Sequence, residues 1–402
     1  ANRVCLCQLK VSLTHLLFGG TYMKNSELTV WESTCIITGY GVGGGVMSMP
    51  YLAEKNGIFL SFAILAAALA ASYVLHLMIA DLALKSDNGG QIIACISRFL
   101  FRGKLKLPLT ITFFVLMALI LCTNLAAYIA GASEIMVDML PISPIAADLI
   151  FYAAAASVVL FGLKAVGVSE KIAVTVIFIL IGILAVSSFT AIHNPLPVSG
   201  SSLNAALAFF GMAMFALSAF FSIPQAVEGL GKDRKKIKKA VFFGLFNNFI
   251  LIIVISVCAL MASTEITEVA MVGWSRGIGA WAQIIGGVFT ILAMLTTYWS
   301  ISLALGSIVQ EQFGFNTKVC WLLATLPSLC LALFNLGGFL EFMRMAGGLI
   351  AIIVAVMVVP AYKNARAEVE GTILGKIDTA AVEALIIIAY ILMGVGSVVS
   401  IS

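Results

Sequence analysis

The sequence predicts an all-α integral membrane protein of 11 transmembrane helices. The first ten form a 5+5 inverted repeat with helices one and six broken, and an eleventh helix follows. Three observations lead there. Of the 402 residues, 61% are hydrophobic and only 10% charged, whereas soluble domains run near a quarter charged. Apolar runs of roughly 20 residues, enough to cross about 30 Å of hydrocarbon as a helix, recur along the chain. Two of these runs are interrupted by glycine and proline at matching places in the two blocks of five.

The runs fall at about 29–54, 58–84, 108–139, 144–163 and 169–192 for repeat one. Repeat two follows at about 203–229, 238–262, 277–311, 317–336 and 339–362, and the extra helix at 380–401. Five crossings reverse direction, so the repeats are inverted with respect to each other. Residues 27–402 form a single transporter-like domain, and residues 1–26 are an N-terminal extension. Met23 has the look of a natural start, and residues 1–22 lack the basic start and clean apolar core of a secretory signal. Residues 91–101 read as a short amphipathic segment on the membrane surface.

Basic residues test this layout independently. With the N-terminus cytoplasmic and the C-terminus outside, twenty of the 23 lysines and arginines lie on the inner side. Lys55, Arg276 and Arg344 alone lie outside, a strong positive-inside bias. The net charge of +4 therefore reports topology, and no nucleic-acid partner is indicated. The basic run 232–239 is a stop at the inner membrane face. Cys35, Cys122, Cys258, Cys320 and Cys330 fall in apolar runs, where thiols behave as small hydrophobes.

The first interruption is GYGVGGGVMSMP at 39–50, and the second is GMAMFALSAFFSIP at 211–224. Lipid cannot satisfy loose backbone groups, so unwound backbone at membrane depth persists only inside protein or beside a polar cavity. Glycine in one membrane helix commonly serves close helix packing. Two interrupted segments at corresponding places point instead to a binding site near the midplane.

Residues 43–51, GGGVMSMPY, resemble the Gly-x-Gly-Ile-Leu-x-Leu-Pro-Tyr signature of the amino acid/auxin permease family, within the amino acid, polyamine and organocation superfamily. Residues 209–215 with Pro224, the basic exit 232–240, Thr296-Thr297-Tyr298 and residues 347–354 are similar to that family as well. The resemblance runs from about Glu27 to Ser402. It implies the inverted-repeat fold first recognised in the bacterial leucine transporter. Two positions depart from the family pattern: phenylalanine replaces the histidine that follows the helix-six serine in many members, and Trp299 replaces a proline.

The resemblance implies an amino acid substrate, a zwitterion that needs donors for its carboxylate and acceptors for its ammonium. The N–H groups of Gly43, Gly44 and Gly45 open the second half of helix one and suit the carboxylate. Carbonyls at Tyr40, Phe215, Ala216 and Ser218 suit the ammonium. Neither interruption carries a formal charge, which favours a neutral amino acid. The side-chain pocket is expected from Phe215, Phe220 and Phe221, with Asn124 and Tyr128 of helix three. For Tyr128, packing between helices is the competing reading.

Uphill transport needs a coupling ion. The fold implied by the resemblance holds sodium between helix-one carbonyls and helix-eight hydroxyls, here Thr38 and Gly41 with Thr296, Thr297 and Ser300. Some proton-coupled relatives place a helix-five lysine there; none stands between Ile172 and Ala191, which favours sodium. Protons stay open as the alternative through His76 and Asp81, although ionisable groups five residues apart do not share a helical face. Glu32 reads either as part of an inner gate or as an acid complementing a helix dipole.

The expectation is a sodium-coupled symporter of neutral amino acids that rocks helices one, two, six and seven against the rest. Its partners are the substrate and the lipid bilayer; a monomer suffices, and no organic cofactor is called for. A proton-coupled permease, an amino-acid sensor and a channel are the alternatives. An enzyme is disfavoured, with three histidines in the chain and no paired histidine and carboxylate cluster or phosphate loop.

Overall fold

The computed structural model describes residues 27–86, 90–198, 200, 202–267, 269–334 and 353–399. These residues form fifteen α-helices with two 3₁₀ turns and one π-helical segment at Val354–Val358. In chain order they are α1 (Val30–Gly41), α2 (Gly44–Asn56), α3 (Ile58–Lys85), α4 (Ile92–Phe99), α5 (Lys106–Met139), α6 (Pro144–Leu160) and α7 (Leu163–Ser188). Then come α8 (Leu203–Ala216), α9 (Ser222–Gly229), α10 (Arg234–Ala262), α11 (Ala270–Ile278), α12 (Ala280–Phe313), α13 (Thr317–Leu333), α14 (Val359–Glu368) and α15 (Ala380–Val398).

Local chemistry sets the boundaries. Thr29 and Glu32 close a capping box that starts α1. Gly57, at φ +80°, supplies the left-handed turn between α2 and α3. Asp233 caps α10 through the backbone N–H groups of Lys235 and Lys236.

Among the described residues, six helical segments are long and apolar enough to cross a membrane: Ile58–Lys85, Gly103–Met139, Leu163–Ser188, Arg234–Ala262, Ala280–Phe313 and Ala380–Val398. Shorter apolar helices lie at Pro144–Leu160, Leu203–Ala216 and Thr317–Leu333. Phe59, Leu107, Leu119, Val186 and Leu385 are among many large apolar side chains facing outward, as lipid-facing surfaces require.

The expected runs one and six are each two helices, α1 with α2 and α8 with α9. The expected tenth span and its 347–354 motif lie largely outside the described residues, as does the extension 1–26. The interhelical segment before run eight holds an unanticipated helix, α11, anchored by buried Trp274, whose indole N–H donates to Ser188 Oγ at 2.7 Å. The 91–101 segment is α4 flanked by loop, and it is not a free surface helix: Ile92, Ile93, Cys95, Ile96 and Phe99 are all buried.

At the centre, α1 packs on α7, α10 and α12, while α2 packs on α8. The two interrupted segments thus lie against each other inside a shell of longer helices.

Candidate functional site

The first interruption is short. The backbone N–H of Val42 still reaches Thr38 O at 3.0 Å, the chain turns through Gly43, and α2 restarts at Gly44. The second is longer, with residues 217–221 unwound between α8 and α9. Missing side chains let the two touch. A Cβ on Gly41 would stand 3.1 Å from Ala216 O, and one on Gly45 would stand 2.9 Å from a Phe215 ring carbon. On the opposite side, a Cβ on Gly43 would stand 2.8 Å from Thr297 Oγ1 and 2.9 Å from the Tyr128 hydroxyl. Glycine is needed at these three positions for close approach.

A cavity opens where the interruptions cross. It is lined by Tyr40, Gly41, Gly43, Gly45, Asn124, Tyr128, Phe215, Ala216, Ser218 and Ile301. None of these side chains is charged. Its volume of about 20 Å³ is room for a water molecule or so, so an amino acid enters only when helices or the Phe215 ring move aside.

Part of the loose backbone in the second interruption is satisfied by identifiable partners. Ser218 donates to Phe215 O through its N–H at 3.0 Å and its hydroxyl at 2.6 Å. Ala219 N–H donates to His76 Nε2 at 2.8 Å. The other ring nitrogen lies 2.5 Å from Ser72 O, so the proton belongs on Nδ1 and the imidazole is neutral. Two buried amides keep unused capacity: Asn124 Oδ1, and both amide atoms of Asn248, which is pressed against Gly41.

A second cluster lies where α1, α7 and α12 meet. Thr296 and Thr297 hydroxyls each donate to Gly39 O at 3.1 Å, and Thr297 also approaches Tyr40 O at 3.4 Å. Ser300 Oγ donates to Glu170 Oε1 at 2.9 Å and lies 3.5 Å from Ile36 O. Glu170 is fully buried, and its Oε2 has no hydrogen-bond partner. Gln225 Nε2 closes the cluster by donating to Ser300 O at 2.8 Å.

Residues 26–397 match the profile of the tryptophan/tyrosine permease family. The chain belongs to the tryptophan/tyrosine permease family. The assignment differs from the amino acid/auxin permease family that the 43–51 motif resembles. No curated protein sequence matches. Among solved structures the permease is similar to Mhp1, a nucleobase-cation-symport-1 family transporter in a closed conformation with bromovinylhydantoin bound. That likeness has a TM-score of 0.67 and 13% identity over 94% of this chain and 92% of Mhp1. It is also similar to MhsT in complex with L-phenylalanine, with a TM-score of 0.63 and 13% identity over 93% of this chain and all of MhsT. The Eremococcus coleocola manganese transporter follows at a TM-score of 0.64 and 12% identity, covering 92% of this chain and 85% of that one. The permease is thus a multi-pass membrane transporter with the leucine-transporter type of fold.

Of the expected substrate residues, Tyr40, Gly43, Gly45, Asn124, Tyr128, Phe215, Ala216 and Ser218 line one cavity, and Gly44 begins α2 beside them. Phe221 does not line it. The turn through 217–221 carries that ring away, to pack 6.5 Å from the Tyr40 ring. Phe220 is carried to the other side and stacks on His76 at 5.0 Å.

Thr296, Thr297 and Ser300 do face α1, but they meet carbonyls of Ile36, Gly39 and Tyr40 rather than those of Thr38 and Gly41. Residues 36, 39 and 40 share a helical face, and Thr38 lies round the cylinder from them. The Thr38 hydroxyl donates to Thr34 O at 2.9 Å and lies 3.3 Å from Gly244 O, facing α10. Gly41 borders the cavity instead.

His76 and Asp81 are each engaged by other partners. His76 is committed to Ala219, while Asp81 pairs with buried Lys85 at 2.8 Å and accepts Ile373 N–H at 2.9 Å. Glu32 completes the α1 capping box and pairs with Lys164 of α7 at 2.7 Å and Lys171 at 3.6 Å. Glu170, Asn248 and Gln225 were not anticipated. For Glu170 a signal existed: it precedes Ala173, Val174, Ile177, Ile181 and Leu184, the buried stripe of α7, at helical spacing.

Proposed function

We propose that this permease is a secondary active carrier of neutral amino acids with aromatic side chains, working by alternating access and coupled to a small cation. The observation that carries this reading is the crossing of two interrupted helices on an uncharged cavity walled by Tyr40, Tyr128 and Phe215. Backbone N–H groups opening α2 suit a carboxylate, and carbonyls at Tyr40, Phe215, Ala216 and Ser218 suit an ammonium. Aromatic walls suit an aromatic ring by offset or edge packing. The family's name and the L-phenylalanine bound to MhsT support the same substrate class.

For the coupling ion, our reading is sodium held by hydroxyls of Thr296, Thr297 and Ser300 against α1. Hard oxygen donors without sulfur or imidazole suit such an ion. The positive-inside bias supports a cytoplasmic N-terminus.

Uptake of radiolabelled phenylalanine, tyrosine and tryptophan into proteoliposomes tests the proposal, with sodium and proton gradients imposed separately. Accumulation above equilibrium under either gradient is expected. Equilibration of solute without accumulation under both gradients would replace the carrier reading with a channel.

A further inference from the structure

We infer that Glu170 is the acidic group that takes up the coupling cation, one positive charge per cycle, where α1, α7 and α12 meet. This rests on the carrier reading above and adds to it the residue that holds the charge.

Glu170 is fully buried on α7, and one carboxyl oxygen is held by the Ser300 hydroxyl while Oε2 has no partner. Among the described residues no basic group forms an ion pair with it, and the α7 lysines nearest in sequence, Lys164 and Lys171, are engaged by Glu32. An ionised carboxylate left alone in such a place is too costly to persist. It must be neutralised by a positive charge held beside it, and the unpartnered Oε2 is the place for one. The surrounding groups, the Ser300 and Thr296 hydroxyls and the Ile36 and Gly39 carbonyls, are oxygens that suit a small cation.

The position links this charge to movement of the substrate site. A Cβ on Gly39 would stand 2.0 Å from Glu170 Oε2, so the carboxyl lies directly against α1. Gly39 stands only a turn before the interruption at Val42. The charge state of Glu170 therefore acts on the part of α1 that leads into the cavity. With sodium, the ion loses water to these oxygens and regains it on release. No other bond changes.

The experiment uses the purified full chain, wild type and Glu170→Gln. Thermal unfolding in detergent is followed while sodium is titrated at fixed pH, and separately while pH is varied without sodium. Phenylalanine binding and gradient-driven uptake are measured under the same two series. We expect the wild type to respond to one series, sodium or pH, which identifies the source of the charge. We expect Glu170→Gln to lose that response and to lose accumulation at least tenfold. A Glu170→Gln protein that responds and accumulates as the wild type does would overturn the assignment. Should the wild type transport no aromatic amino acid, the carrier reading fails, yet the unfolding series still decides Glu170. An ion response abolished by the substitution sustains the assignment, and one unchanged by it refutes it.

Discussion

The backbone N–H of Ala219, in the unwound part of the second interruption, is satisfied by the side chain of His76 at 2.8 Å, 143 residues earlier in the chain. His76 thereby replaces the helical acceptor that the interruption removed. Leaving such a buried donor without a partner costs about 1–3 kcal/mol. His76→Phe is expected to weaken phenylalanine binding tenfold or more in a titration with purified protein, and His76→Gln, which keeps an acceptor, to weaken it less. Equal binding by His76→Phe and wild type would show that the contact does not hold the site open.

Gly45→Leu should abolish substrate binding while leaving the helical circular dichroism signal and the monodisperse elution profile intact. The new side chain would be driven into Phe215 and Ala216, since even a Cβ stands 2.9 Å from the former. Normal uptake by this variant would remove the crossing of the two interruptions from the substrate site.

Tyr128→Phe removes a hydroxyl that sits beside Gly43 and Thr297. Loss of one neutral hydrogen bond is worth about 0.5–1.5 kcal/mol, so phenylalanine affinity should fall a few-fold to about tenfold with the fold unchanged. Unaltered affinity, measured by equilibrium binding, would leave Tyr128 a packing residue.

Thr297→Ala combined with Ser300→Ala takes away two hydroxyls that bridge α12 to α1 and α7. The concentration of coupling ion giving half-maximal uptake should rise several-fold, with maximal uptake less affected. An unchanged ion dependence would exclude this cluster as the ion site.

Both interruptions were legible because glycine and proline are costly in helices and conspicuous inside apolar runs; eight of the cavity-lining positions follow from that pattern with the family resemblance. Glu170 was passed over although it lies on the buried stripe of α7, since it stands just inside the expected start of its span, where a carboxylate reads as facing water. The tandem Asn247 and Asn248 were mute. Only packing sends Asn247 to Thr38 and Asn248 to Gly41. Thr38 shows the complementary limit: a residue type apt for an ion, turned by helical rotation toward α10.

Gly211 illustrates how one residue type serves two ends. It belongs to the glycine and proline pattern of the second interruption, yet it lies within regular α8, where a Cβ would stand 3.0 Å from the backbone of Gly396 in α15. The reciprocal Cβ on Gly396 would stand 2.1 Å from Leu207 O. Gly211→Leu should therefore lower the unfolding temperature in detergent, since overpacking of this kind costs about 1–3 kcal/mol; an unchanged midpoint would mean the two helices part easily.

That backbone-to-backbone seam has a mechanical meaning. Helices held at glycine distance have no side-chain cushion between them, so under the alternating-access mechanism proposed above α15 would be carried with α8. On that reading a spectroscopic label on α15 would report movement of the binding site from a place that does not line the cavity.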